Sequence, residues 1–133
     1  MALNEQNRNN LVTLYWDKAI QTQEEAEVAI ANEKWSMSAN RIYYMLFHAV
    51  TALFVKNGLK VGTHRGAKVM LGEYFVLPGK ISPDQGRLFA QLETMRDKAD
   101  YDIIYSATQT EVMTLYPQAT AFLATIKELL GEN

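Results

Sequence analysis

The chain has 133 residues, of which 48% are hydrophobic and 21% charged, with a net charge of −2 and a pI near 5.7. That suits one globular domain over residues 1–133 and is not the strongly basic footprint of a general nucleic-acid coat protein. There is no cysteine, which excludes disulfide scaffolds and thiolate zinc sites, and with only His48 and His64 a histidine-rich metal site is disfavoured, so no metal and no cofactor is expected.

The opening stretch MALNEQNRNN is polar and lacks the apolar core of a secretory signal. The longest apolar run, IYYMLFHAVTALFV, contains a histidine and is shorter than the ~20 residues of a membrane span. The expected location is the cytoplasm, without membrane contact. Helical spacing of Leu11, Leu14, Tyr15, Lys18, Ala26, Ala29 and Ile30 predicts a first helix from about Glu5 to Asn32, broken by NEKWS. A second helix runs from about Ser36 to Lys56 and stops at Gly58. It is apolar nearly all round and should be the most buried. Thr63 is the N-cap of a third, ending near Phe75. Ser82, Pro83 and Gln85 form a capping box and start signal for a fourth, reaching about Tyr101. A fifth begins at Thr108, with Glu111 completing a second capping box, and ends near Leu130. Pro117 should kink it or mark a restart. Short connections make this an all-α, antiparallel up-and-down bundle of about five helices.

Three groups of polar residues sit where that bundle should be greasy. On the fourth helix Leu88, Leu92, Met95, Ala99 and Ile103 form an apolar stripe, and Arg96 falls inside its edge. Asp100 lies one turn on and can pair with it. Arg96 therefore admits two readings. It buries its stem and holds Asp100 for packing alone, or it faces a cleft and binds an anion, with Asp97 and Asp100 orienting a fork that matches phosphate or carboxylate. On the second helix Arg41, Tyr44, Met45, His48, Ala52 and Val55 share a face. Arg41 and His48 are roughly 10 Å apart along the axis. His48 is a core histidine or part of the cleft. Arg41 needs an acid, and Glu93, Asp97 and Asp100 are the candidates, which predicts that the second and fourth helices face one another through these residues. In GTHRGAK, His64, Arg65 and Lys68 put donors and positive charge at a helix N-terminus, either an anion site or a capped, solvated turn. Tyr43 and Phe47 read as core.

In this order, NRIYYMLFHAVTALF, GTHRGAKVM, FVLPGKIS and MRDKADYD resemble the HEPN family (higher eukaryotes and prokaryotes nucleotide-binding domains) over most of the chain, from about residue 10 to residue 128. The resemblance implies a compact bundle of about five helices, commonly a homodimer in which two copies form one cleft. It implies metal-independent ribonuclease activity in many members, and a toxin role beside a small nucleotidyltransferase antitoxin. The family motif is an arginine, often followed by Asn, Asp or His, with a histidine a few residues further on. Arg96 and Asp97 match its first half; Tyr101 stands where the histidine would be. A phenol of pKa ~10 is a poor base near neutrality, where imidazole titrates.

The expected function is a nucleotide- or RNA-associated module, toxin-like and partnered by a nucleotidyltransferase. Arg96 would bind phosphate, Asp97 and Asp100 would orient it, and Tyr101 would donate a hydrogen bond. Arg41, Tyr44 and His48 would form the second wall, with His64 and Arg65 adding donors from the third helix. The alternatives are an active ribonuclease using His48 or His64 as base, and a non-catalytic interaction protein. The end of the fourth helix is the expected centre of a dimer interface.

Overall fold

The computed structural model describes residues 4–60 and 62–131. Residues 1–3, 61 and 132–133 lie outside that description, and with them the start of the polar N-terminal stretch and one position of the 57–62 break. The described residues form α1 (Glu5–Ala31), α2 (Trp35–Lys56), α3 (His64–Leu71), a π-helical turn (Gly72–Val76), α4 (Pro83–Tyr101) and α5 (Gln109–Gly131), with no strand among them. The all-α bundle expected from the sequence is what forms. No helix among the described residues is long and apolar enough to cross a membrane.

Local chemistry sets the helix ends. Ser82 Oγ accepts from Gln85 N at 3.1 Å while Gln85 Oε1 accepts from Ser82 N at 3.3 Å, and Pro83 opens the first turn. Thr108 and Glu111 make the same reciprocal pair at 3.2 and 2.9 Å. Thr63 Oγ1 accepts from Gly66 N at 2.9 Å, so α3 starts where its N-cap residue predicts. At the end of α2, Gly58 adopts φ 72°, and Leu59 N donates to Phe54 O at 2.9 Å, a Schellman stop. The α1–α2 turn has the same form: Lys34 N donates to Ala29 O at 2.9 Å and Glu33 N to Ile30 O at 3.0 Å. Here the left-handed position, φ 55°, is held by Glu33 rather than by glycine.

Two elements depart from the sequence reading. The third helix does not continue regularly to Phe75; after Leu71 it widens into the π-helical turn. The first turn of α4 packs closely on that turn: a Cβ on Gly86 would stand 3.0 Å from Val76 Cγ2, tight enough that the valine would have to shift. Of the two effects expected of Pro117, the restart does not occur: α5 is continuous from Gln109 to Gly131 with Pro117 inside it. The carbonyl that loses its N–H partner belongs to Met113, and both residues are exposed, so water can satisfy it.

The second helix is the axis of the bundle and packs against α1, α3, α4 and α5. Ala19, Thr22, Ala26 and Ala29 are the buried residues of α1, a seam of small side chains that lets it lie along α2. Thr22 Oγ1 is satisfied within its own helix by Lys18 O at 2.7 Å. Phe54 meets Phe75 at 5.9 Å and Tyr43 stacks on Phe89 at 5.6 Å, joining α2 to the π turn and to α4. Lys56 Nζ donates to Leu129 O at 2.7 Å and Leu130 O at 3.1 Å, placing a cation on the carbonyl end of α5. The fold thus brings the first half of α2, the start of α3 and the last turns of α4 to one place.

Replacing Glu33 by glycine should stabilise the protein. A side chain in the left-handed region costs about 1–2 kcal/mol, and the added freedom of glycine in the unfolded chain returns about 0.4–1 kcal/mol of that. The expected gain is roughly 0.5–1 kcal/mol in a urea unfolding series, with no change in slope.

Candidate functional site

Arg96 is the only charged residue among the buried ones described, 5% exposed. Its guanidinium lies over two aromatic rings of α2, with Cζ 5.4 Å from the Tyr43 centroid and 5.9 Å from that of Tyr44. Each such contact is worth roughly 0.5–2 kcal/mol, more as water is excluded. Two carboxylates flank it. Glu93 Oε1 is 4.0 Å from Nη2, and Asp100 Oδ2 is 3.7 Å from Nη1. Both distances are ion-pair contacts longer than a hydrogen bond. Nε is buried and meets no acceptor. An unmatched buried donor costs about 1–3 kcal/mol. The arginine is therefore neutralised electrostatically but poorly satisfied as a hydrogen-bond donor.

Each flanking carboxylate is taken up by another partner. Lys68 Nζ of α3 donates to Glu93 Oε2 at 3.0 Å. Asn40 Nδ2 of α2 donates to both oxygens of Asp100, at 3.3 Å each. Asn40 is itself held, since its Oδ1 accepts from Arg41 Nε at 3.0 Å and Nη2 at 2.7 Å. Arg41 Nη1 in turn reaches Glu25 Oε1 of α1 at 2.9 Å. Arg41 thus finds its acid on α1, not on α4 as its spacing suggested. Glu25 lies across the long, close α1–α2 seam, whereas α4 is engaged by Asn40, the neighbour of Arg41. The two helices do face one another through polar groups, but the groups are Asn40, Tyr43 and Tyr44 against Arg96 and Asp100.

His64, the first residue of α3, joins the same cluster. Its Nδ1 is 2.8 Å from Tyr43 Oη, and its ring packs 4.7 Å from Phe47 and 5.8 Å from Tyr44. Burial, then the nearby Arg96 charge, push the His64 pKa below its ordinary value, against a smaller pull from Glu93 and Asp97. Burial, with Glu93 adding to it, pushes the Tyr43 phenol well above its ordinary value despite Arg96. The pair is then a neutral phenol and a neutral imidazole joined by one hydrogen bond, which Tyr43 Oη donates to Nδ1 in one tautomer and accepts from Nδ1–H in the other.

The other residues singled out in the sequence are placed differently. Tyr44 is half-buried between Arg41, 5.4 Å from its ring, and Arg96. Asp97 is exposed, and acts on the cluster through its charge. His48 lies beside Tyr44 at 6.0 Å and Phe47 at 6.1 Å. Burial first, then Lys18 of α1 and Arg41, push its pKa down, with Glu25 opposing. It belongs to the α1 side of Tyr44, not to the Arg96 cluster. Arg65 is exposed and lines a separate groove with Thr63, Val69, Glu73 and Tyr74. Tyr101, the last residue of α4, is 78% exposed. Ile103 is 100% exposed, because the helix that would have turned it onto the apolar stripe ends two residues earlier. Lys68 stood among the GTHRGAK charges as part of an anion site or a solvated turn, and in the structure it holds Glu93 of α4. Two contributors carried no distinctive signal in the sequence: Asn40 is a common helix-surface residue, and Tyr43 reads as core and is core. Only their tertiary partners single them out. Among the described residues no group of three His, Asp or Glu side chains is placed to hold a metal ion.

The imidazole shifts carry a sign. A folded pKa below 6.5 means the unfolded chain binds more protons between the folded midpoint and 6.5. Stability therefore rises with pH across that window and falls as acid charges the rings. Proton NMR titration should separate the two histidines. Arg96→Met should raise the His64 midpoint toward its ordinary value and leave that of His48 nearly unmoved.

A model of the HEPN domain matches residues 12–129. A "UPF0332 protein" of Thermotoga maritima is 28% identical over 127 residues, covering 95% of this chain and 96% of that protein. A protein of Methanocaldococcus jannaschii with the name "Putative toxin MJ0142" is 25% identical over 118 residues, covering 88% of this chain and 80% of its own length. With a family match over nearly the whole bundle, the chain belongs to the HEPN domain family.

Proposed function

We propose that this HEPN protein is a toxin-like module that binds RNA or a nucleotide through phosphate at Arg96. One observation carries the reading: a guanidinium backed by two aromatic rings whose Nη1 and Nη2 meet their flanking carboxylates only at 3.7 and 4.0 Å, beyond hydrogen-bond length. A phosphate oxygen is the acceptor its planar fork fits, in charge-assisted bonds stronger than neutral ones. The toxin part of the reading is supported by the name of the archaeal relative. A homodimer is supported by the apolar exposure at the end of α4, where Tyr101, Ile103 and Ile104 are 78%, 100% and 90% exposed. The nucleotidyltransferase partner rests on family resemblance alone.

A second reading has its own support. If the site also cleaves RNA without metal, His64 is the base the geometry favours over His48, since it shares the Tyr43 and Tyr44 rings with Arg96. Tyr43 would turn to accept from Nδ1–H and leave Nε2 to take the 2′-hydroxyl proton. O2′ would bond to phosphorus, and the 5′ oxygen would leave with a proton from water.

The test is binding of a short fluorescent single-stranded RNA in EDTA at low salt. Arg96→Ala should weaken it by about 10- to 100-fold, the worth of a charged hydrogen bond. Arg96→Lys should recover only part, and Arg87→Ala, an exposed arginine paired with Asp84, should bind as wild type. Unchanged binding with a lowered melting temperature in Arg96→Ala would make the arginine a packing residue. Cleavage of the same RNA, lost in His64→Ala and kept in His48→Ala, is the outcome expected of the second reading.

A further inference from the structure

The anion site contains its own competitors. Glu93 and Asp100 are the third residue before and the fourth after Arg96 on one helix face, where carboxylates ordinarily close onto a guanidinium. Here they stop at 4.0 and 3.7 Å. Each is hydrogen-bonded instead to a donor from a different helix, Lys68 at 3.0 Å and Asn40 at 3.3 Å. The Asn40 amide cannot turn away without cost, because its oxygen accepts two bonds from the Arg41 fork, and Arg41 is anchored on Glu25.

We propose that Asn40 and Lys68 are positioning residues that hold Asp100 and Glu93 off Arg96, so that the guanidinium keeps its donors for an external anion. The inference rests on the phosphate-binding reading. It assigns neither residue a ligand contact: both act by occupying a carboxylate that would otherwise act as an internal ligand. A carboxylate tethered one helical turn away competes with any external anion at a high effective concentration, so a small shift of a side chain decides whether the site is open. The arrangement also explains why Arg96 tolerates burial. Its charge is balanced at 3.7–4.0 Å, yet its hydrogen-bonding capacity is not consumed.

Asn40 is the residue to test, because its removal changes no formal charge. Asn40→Ala releases Asp100 to close on Arg96. RNA binding, measured as above, should fall on the order of tenfold, the difference between a satisfied and an available charged donor. The control is a double-mutant cycle with Asp100→Asn, which removes the competing charge. In the Asp100→Asn background the Asn40→Ala loss should vanish. A loss that persists there would overturn the inference and place Asn40 in ligand contact or in general packing. Binding unchanged in Asn40→Ala would overturn it as well. Failure of wild type and Asp100→Asn alike to bind RNA would overturn the phosphate reading first, and this inference with it. Wild-type binding lost in Arg96→Ala but untouched by Asn40→Ala overturns the inference alone.

Discussion

A buried guanidinium must be dealt with from every side, and the packing around Arg96 follows from that. Isolated burial of such a charge is prohibitive. Three neighbouring elements each supply a compensation. The second helix offers the faces of Tyr43 and Tyr44, α4 offers its own Glu93 and Asp100, and α3 sends Lys68 to hold one of those carboxylates. None of the three suffices. The rings cannot accept hydrogen bonds in the plane of the guanidinium, and the carboxylates are too far to do so. What results is a cation that is electrostatically tolerable and chemically unsaturated, a state a packed core does not produce by default.

The same arrangement explains why α2 is so apolar and yet carries a run of aromatics and polar groups at one end. From Met45 to Phe54 it fills the centre of the bundle. From Asn40 to Tyr44 it must do two jobs, because Tyr43 is fully buried and stacks on Phe89 while its hydroxyl reaches His64. A phenylalanine there would keep the packing and lose the pinned imidazole. A polar chain runs from Glu25 on α1 through Arg41, Asn40 and Asp100 to Arg96 on α4. It ties α1 to the buried cation of α4.

How much of this the sequence carried depends on the range of each interaction. Helix ends were legible wherever they are written in adjacent residues, as at Ser82–Gln85, Thr108–Glu111 and Gly58. Arg96 and Asp100 were legible because helical periodicity alone puts Arg96 at the edge of the apolar stripe and Asp100 one turn further on. The widening after Leu71 was not, since no residue pattern in the adjacent sequence marks it. Ile103 was misplaced onto the apolar stripe because the wheel has no knowledge of where the helix stops, and Asp102 ends it by taking Ile104 N on its side chain at 2.9 Å. Arg41 was assigned to the wrong acid for a related reason. Spacing fixes which face a residue occupies, but not which helix covers that face. Asn40 was passed over entirely, because its importance lies in two partners 1 and 60 residues away, and only the second is tertiary.

The position of the imidazole illustrates the same limit at the level of chemistry. In sequence, the natural place to look for a proton-transfer group is a few residues after Arg96, and Tyr101 is found there, pointing its ring into solvent from the last residue of α4. In space, the imidazole nearest the guanidinium comes from the first turn of α3, thirty-two positions earlier, and is oriented by a tyrosine from α2. A site is defined by which atoms converge, and chain order constrains that only within one helix. With Arg96 fixed on α4, any residue at the start of α3 that can bond to Tyr43 Oη is carried to the same place. The burial and positive charge met there favour a neutral ring, while Tyr43 Oη fixes its orientation through Nδ1.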